Sequence, residues 1–401
     1  MNKHAFIPFH VPSIGEEEIE EVADTLRSGW ITTGPKTARF EADFARYLGC
    51  RHTLAVNSAT AGMHLALAAS GIGPGDEVIT TPLTFCATAN VIIQVGATPV
   101  LADVGSDGNI DPASIAERIT PRTKALLPVH LAGKPCDMDA IWALAERGGL
   151  RVIEDAAHAT ETQYRGLPLA SERAVRQSDA VAFSFYATKN LTTGEGGMVA
   201  TNDAALAERM RVLCLHGISK DAWNRYAEKG KWYYQVLESG FKYNLGDIQS
   251  SIGIHQLRKL EGFAAARRRL VEVYREEFAE VDEVELPEES ADGRHAWHLF
   301  AIRLRLDKLR IDRAEFMAEL QRQGVGASVH FIPLPLHPFF ARWADRPENQ
   351  CPRALAMYER LISLPLYPAL AEEQVREVAR KVRQIVARQR RARPVLAAVG
   401  D

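Results

Sequence analysis

The sequence predicts an α/β fold: a mainly parallel sheet covered by helices, followed by a smaller α+β portion. Three observations predict it. Turn-bounded apolar runs alternate with helical stretches up to about Asn202, as expected of strands joined by helical crossovers. After Asp247 a long helical pattern runs through Ile248, Ile252, Ile254, Leu257 and Leu260 toward Phe278. Beyond a polar loop from Pro287 to Gly293, a further α+β stretch runs from His295 to about Gln389. The expected division is a large domain over 1–260, including the N-terminal segment, a small C-terminal domain over 261–390, and a basic tail over 391–401.

Taken in order, the first helix is expected to begin at Ser13, with Glu16 placed for a capping box. The strand-like Thr53-Leu54-Ala55-Val56 leads into Asn57-Ser58-Ala59-Thr60-Ala61-Gly62, which opens a helix through Met63 to Ala69. Free N–H groups at a helix start, with Ser and Thr hydroxyls, form an anion cradle, although a plain Ser/Thr N-cap has the same pattern. It is not a P-loop, because no Gly-Lys-Ser/Thr follows. A turn at Gly73-Pro74-Gly75-Asp76 then feeds a strand and the stretch Thr84-Phe85-Cys86, where Phe85 is either simple core or a ring able to stack on another.

The run Leu150 to Glu154 reads as a short apolar strand ending at Asp155. In open α/β sheets ligands sit outside the carboxyl ends of the strands, where Asp155 would lie, although Asp is also a common helix cap. Glu154 reads as a solvated or supporting acid. Ala180 to Phe185 reads as a buried strand, and Lys189 follows it in Ser184-Phe185-Tyr186-Ala187-Thr188-Lys189-Asn190. An apolar site lowers a lysine's pKa, and such an amine is the nucleophile that forms a Schiff base with an aldehyde. Taken alone, a strand-end lysine in solvent is the better reading; the carboxylate and the cradle overturn it. Gly194-Glu195-Gly196-Gly197 lacks the dinucleotide spacing. Arg267-Arg268-Arg269 reads as a solvated face or subunit-contact charges.

Together these motifs resemble the nucleotide-sugar aminotransferases of the DegT/StrS group. The resemblance runs from Ser28-Gly29-Trp30 to Leu364-Pro365-Leu366-Tyr367-Pro368, and within the group is nearest to the UDP-4-amino-4-deoxy-L-arabinose aminotransferase type. It implies the aspartate-aminotransferase-like fold (fold type I), with a three-layer large domain, and pyridoxal 5'-phosphate (PLP) as cofactor. It further implies that Lys189 binds the cofactor and shuttles a proton, and that Asp155 pairs with the ring nitrogen. Ser58, Thr60, Ala61 and Ser184 would hold the phosphate, Phe85 would cover one ring face, and His158 would lie beside the ring. Asn244 would reach the phosphate of a neighbouring subunit, implying a homodimer with shared active sites. Tyr186, where most members have histidine, and His330 would stand near the sugar. The aromatic and charged segment from Ser219 to Ser239 also departs from the group and reads as a surface loop more readily than as part of the nucleotide pocket.

The implied reaction moves the amino group of L-glutamate to a keto group, preferably C4, of a nucleotide-linked sugar. A 3-keto sugar is the nearest rival. A sugar dehydratase of the same fold would have histidine in place of Lys189, and a non-catalytic regulatory homologue would have lost Lys189 or Asp155. Composition fits an enzyme without choosing its chemistry: 401 residues and 46% hydrophobic content suffice for two cores. A net charge of −3 gives no electrostatic case for nucleic acid or a membrane surface. No apolar run is long enough to span a bilayer, and the first residues lack a signal-peptide core. Five scattered cysteines show no metal-like pairing and suit a reducing cytoplasm.

Overall fold

Strands form where the apolar, β-branched runs fall: β1 (His52–Val56), β2 (Glu77–Thr80), β3 (Thr98–Leu101), β4 (Thr123–Leu127), β5 (Arg151–Asp155), β6 (Ala180–Ser184) and β7 (Gly197–Thr201). They make one sheet in the order β1-β7-β6-β5-β4-β2-β3. Neighbours from β6 through β3 pair in parallel, while β7 runs antiparallel to both β1 and β6. The computed structural model describes residues 6–219, 234–344 and 350–391. The stretches Lys220 to Tyr226 and Lys231 to Tyr233, and the tail beyond Arg391, lie outside the described residues.

A sheet buried on both faces needs apolar residues on both sides of each strand. In β6, Val181 and Phe183 join one core with Phe40, Phe44 and Phe185, while Ala180 and Ala182 join the other with Met63, Leu65 and Val199. That is the period of two written in side chains. The longer helices are α1 (Glu16–Ser28), α2 (Pro35–Leu48), α3 (Ala59–Ala69), α4 (Ala87–Gln94), α5 (Met138–Gly148), α6 (Ala204–Cys214), α7 (Asp247–Phe278), α8 (Arg313–Arg322) and α9 (Glu372–Gln389).

Helix α1 begins at Glu16, not at Ser13. Gly15 is its cap residue, and the Gly15 N–H donates to the Glu18 carboxylate at 2.8 Å. Ser13 is drawn away because its carbonyl accepts from Gln256 Nε2 at 2.6 Å. Glu18 is in turn held by Lys259 and by Gln256 Nε2 at 2.8 Å.

The C-terminal part builds a separate core on the antiparallel sheet of β8 (Val284–Glu285), β9 (Phe300–Leu304) and β10 (Leu361–Leu364). Helix α7 is 32 residues long and serves both cores. Ile254 and Leu260 pack in the first, and Leu270, Val271, Tyr274 and Phe278 in the second. Of Arg267-Arg268-Arg269, expected on a solvated face or at a subunit contact, only Arg268 and Arg269 are exposed. Arg267 is buried, because it falls on the face of the helix that packs inward and donates to the Leu366 carbonyl. The division at 260/261 therefore falls inside a continuous helix. Among the described residues, no helix is long and apolar enough to cross a membrane.

Candidate active site

Because β2, β4, β5 and β6 run parallel, their carboxyl ends share one edge of the sheet. A cavity of about 520 Å³ opens there, lined by Ser58, Thr60, Phe85, Asp155, His158, Ser184, Tyr186, Lys189 and His330, among others. The main-chain order thus converges, from segments far apart in sequence, on one site.

Asp155 ends β5 and is 5% exposed. One carboxylate oxygen accepts from Thr88 Oγ1 at 2.8 Å and the other from the Ala157 N–H at 3.1 Å. No helix follows it, so the capping role is not taken up. Burial pushes its carboxyl above the ordinary range, against the pull of those hydrogen bonds and of Lys189. Glu154, one residue earlier, points to the other side of the strand. It is buried rather than solvated, bonded to His130 Nε2 at 2.7 Å.

Lys189 sits in a tight turn, its N–H donating to the Tyr186 carbonyl at 2.8 Å. Burial lowers its amine to about 8, with Asp155 pulling it back up. Among the described residues no ion pair joins Lys189 to Asp155. Both line the same cavity.

In the same cavity lining, Ser58 caps α3, its hydroxyl accepting from the Ala61 N–H at 3.1 Å. The first N–H groups of a helix have no acceptor within it, so the α3 start offers donors to an anion. Ala61 spends its own N–H on the cap and is not among the cavity's lining residues. Gly197 lets β7 press against this turn: a Cβ there would meet Ser58 C and Ala59 N at 2.6 Å.

Phe85 is 59% exposed and lines the cavity instead of joining the core. Its ring lies 6.0 Å from Phe331, which stacks at 5.6 Å on His158. The His158 Nδ1 accepts from the Ala132 N–H at 3.3 Å, and burial holds the imidazole neutral, its pKa well below the usual value. His330 bonds through Nδ1 to Ser363 Oγ at 2.9 Å, and burial lowers it to about 4. Tyr186 is exposed at the mouth.

Asn244 stands apart from this cavity. Its amide donates to Thr33 Oγ1 at 2.7 Å and its oxygen accepts from Lys242 Nζ at 2.6 Å. Sequence reasoning gave no role to Phe9, His10 or Phe331, which also line the cavity. His298, to which it gave no role either, lines it too. No local signal marks them, because they arrive from the N-terminal segment and the C-terminal half.

The donor set fits PLP: an anion seat at a helix start, an aromatic face, a buried carboxylate and a readily deprotonated amine around one open space. The profile of the DegT/DnrJ/EryC1/StrS aminotransferase family matches residues 12–383. The chain is 48% identical over 386 residues to the spore coat polysaccharide biosynthesis protein SpsC of Bacillus subtilis, spanning 96% of this chain and 98% of that one. The putative sugar aminotransferase Spr1654 from Streptococcus pneumoniae, solved in PMP and PLP forms, is also similar. Its PMP form superposes with a TM-score of 0.88 at 33% identity, covering 95% of this chain and 99% of that chain. Helicobacter pylori PseC, an aminotransferase involved in the biosynthesis of pseudoaminic acid, gives 0.87 at 28% identity, with 96% and 100% covered.

Proposed function

Since the chain belongs to the DegT/DnrJ/EryC1/StrS aminotransferase family, we propose that it transfers the amino group of L-glutamate to a nucleotide-linked keto sugar. The fold is the type I fold of PLP aminotransferases, and the cofactor is PLP. PLP, when bound, supplies an aldehyde that takes the amine and a ring that accepts the electron pair released at the substrate carbon.

The observation that carries the reading is Lys189 and Asp155 facing one cavity beside the α3 start. In this reading Lys189 holds the cofactor and then moves a proton through Nζ, for which an amine near 8 is well matched. Asp155 keeps the proton on the ring nitrogen. Ser58, Thr60 and Ser184 form the phosphate seat, with Ala61 set behind it on the Ser58 cap; Phe85 covers one face of the ring and His158 lies beside it. Tyr186 and His330 meet the sugar.

The keto position is C4, a preference drawn from motifs shared with the UDP-4-amino-4-deoxy-L-arabinose aminotransferase type. The relatives named above do not carry that subgroup's name. We also assign a homodimer with shared sites, supported by Asn244 standing outside its own chain's cavity. Exposed Leu26, Trp30 and Ile31 lie in the same N-terminal region as Thr33, which binds Asn244. A cytoplasmic location accords with five free cysteines.

The test is the absorbance spectrum of the purified protein with PLP, before and after L-glutamate, with assay for 2-oxoglutarate. A glutamate-dependent spectral change with 2-oxoglutarate release, followed by amination of UDP- or dTDP-linked 4-keto sugars, is the expected result. A protein that binds PLP but ignores glutamate would need another donor, and one that never binds PLP would sink the reading.

A further inference from the structure

Behind Lys189 lies a buried polar chain that none of these roles uses. Glu161 is 1% exposed, and its carboxylate accepts from Asn190 Nδ2 at 3.0 and 2.9 Å. The same Nδ2 donates to the Ala296 carbonyl at 2.9 Å, so both amide protons are committed. That leaves the Asn190 oxygen as a pure acceptor, taking the proton of His298 Nδ1 at 3.0 Å. His298 is thereby fixed with its proton on Nδ1, and its ring lies 4.3 Å from that of His158.

Asn190 follows Lys189 directly. Gripping its side chain on three sides fixes the main chain from which Lys189 projects. Two of those grips, Ala296 and His298, come from the C-terminal part, and Glu161 comes from the loop after β5.

The charged and titratable groups facing Glu161 are Arg267 on α7, Arg294, and Tyr47 on α2. Tyr47 and Arg294 both bond Glu261, at 2.8 Å and 2.9 Å. Arg267 donates Nη1 to the Leu366 carbonyl at 2.9 Å, and among the described residues no ion pair joins it to Glu161. Both Glu161 oxygens instead share the Asn190 N–H that Ala296 does not take. A carboxylate kept only to balance Arg267 would contact it. Burial pushes Glu161 up to about 7 despite Arg267, so its charged form costs stability that a neutral side chain would not.

We infer that Glu161 is a positioning residue for Lys189: its carboxylate anchors Asn190, and through it the Lys189 main chain and the His298–His158 pair. The inference rests on Lys189 as the residue that holds the cofactor.

The test is the rate at which the full-length, cofactor-free protein takes up PLP, followed by absorbance from about pH 6 to about pH 9, with thermal unfolding of the same samples. In the wild type the rate rises through about 7 as Glu161 becomes charged, and again through about 8 as Lys189 loses its proton. Glu161→Gln keeps the upper step and loses the lower. Its uptake at about pH 8 falls on the order of tenfold to a hundredfold, as misplacement of a reacting group does. Its melting temperature there is equal to the wild type's or higher, since a neutral side chain replaces a costly charge. Asn190→Ala slows uptake similarly, and the double variant is no slower than the worse single.

A Glu161→Gln variant with the wild-type profile overturns the inference, as does slower uptake matched by an equal loss of stability. Multiplying effects in the double variant do so too. Lys189→Ala separates the two readings: if it gains the wild-type spectrum with PLP, the assignment of Lys189 fails; if it does not, only the Glu161 variants decide the inference.

Discussion

The amine of Lys189 and the carboxyl of Asp155 are both pushed toward neutrality by burial, and each only partly offsets the other. Lys189→Ala loses the proton carrier, so turnover falls on the order of a thousandfold, within the range general acid–base steps supply. The fold survives, which circular dichroism checks. Asp155→Asn behaves differently. A carboxyl raised by burial is stabilising while protonated, and that contribution is lost as pH rises through its folded pKa. The Asn variant of the cofactor-free protein therefore melts at about pH 8 no lower than wild type. Its turnover still falls on the order of a hundredfold to a thousandfold, because the charge aimed at the reacting centre is gone. A variant with normal rates would remove Asp155 from the site. Lys189 and Asp155 were legible because each follows an apolar strand inside a distinctive motif. Glu161 and His298 were not, because what gives them meaning is a bond to Asn190 across sequence separations of 29 and 108 residues.

Where elements meet, the start of α3 is the most sensitive place. Ser58→Ala removes the cap and costs about 1 kcal/mol of stability, with weaker PLP retention, measurable by unfolding and by fluorescence titration. Gly197→Ala is harsher, since its Cβ would meet backbone atoms Ser58 C and Ala59 N at 2.6 Å. Strand β7 and the α3 turn must separate, at a cost of about 1–3 kcal/mol, and the anion seat deforms with them. Unchanged PLP affinity in both variants would remove this turn from the cofactor site. The strands themselves were plain from alternating or continuous apolar runs. The α1 boundary was not: Ser13 looks like a cap, but a tertiary bond from Gln256 claims its carbonyl, and Gly15 with Glu18 supplies the cap from the next turn. Local chemistry proposes a helix start, and a distant side chain decides it.

At the scale of the whole chain, the shared-site homodimer is testable by sedimentation. A dimer is expected, with Asn244→Ala weakening PLP retention while the dimer persists; a monomer with full activity would end the proposal. The architecture was legible as a sheet-and-helix half followed by a smaller half. What sequence periodicity did not convey is that α7 belongs to both, since an amphipathic repeat names a buried face without saying which core buries it. That sharing has a consequence for how the chain is made. Synthesis runs from the N-terminus, and domains ordinarily complete themselves as they emerge. Here the first core lacks Ile254 and Leu260 until the ribosome has made α7. The far end of that helix leaves the ribosome with Leu270, Val271 and Tyr274 still waiting for strands not yet translated. The large half of the nascent chain is therefore completed late and beside an apolar surface with nothing to cover it, which makes the interval after Phe278 the one in which a chaperone matters most.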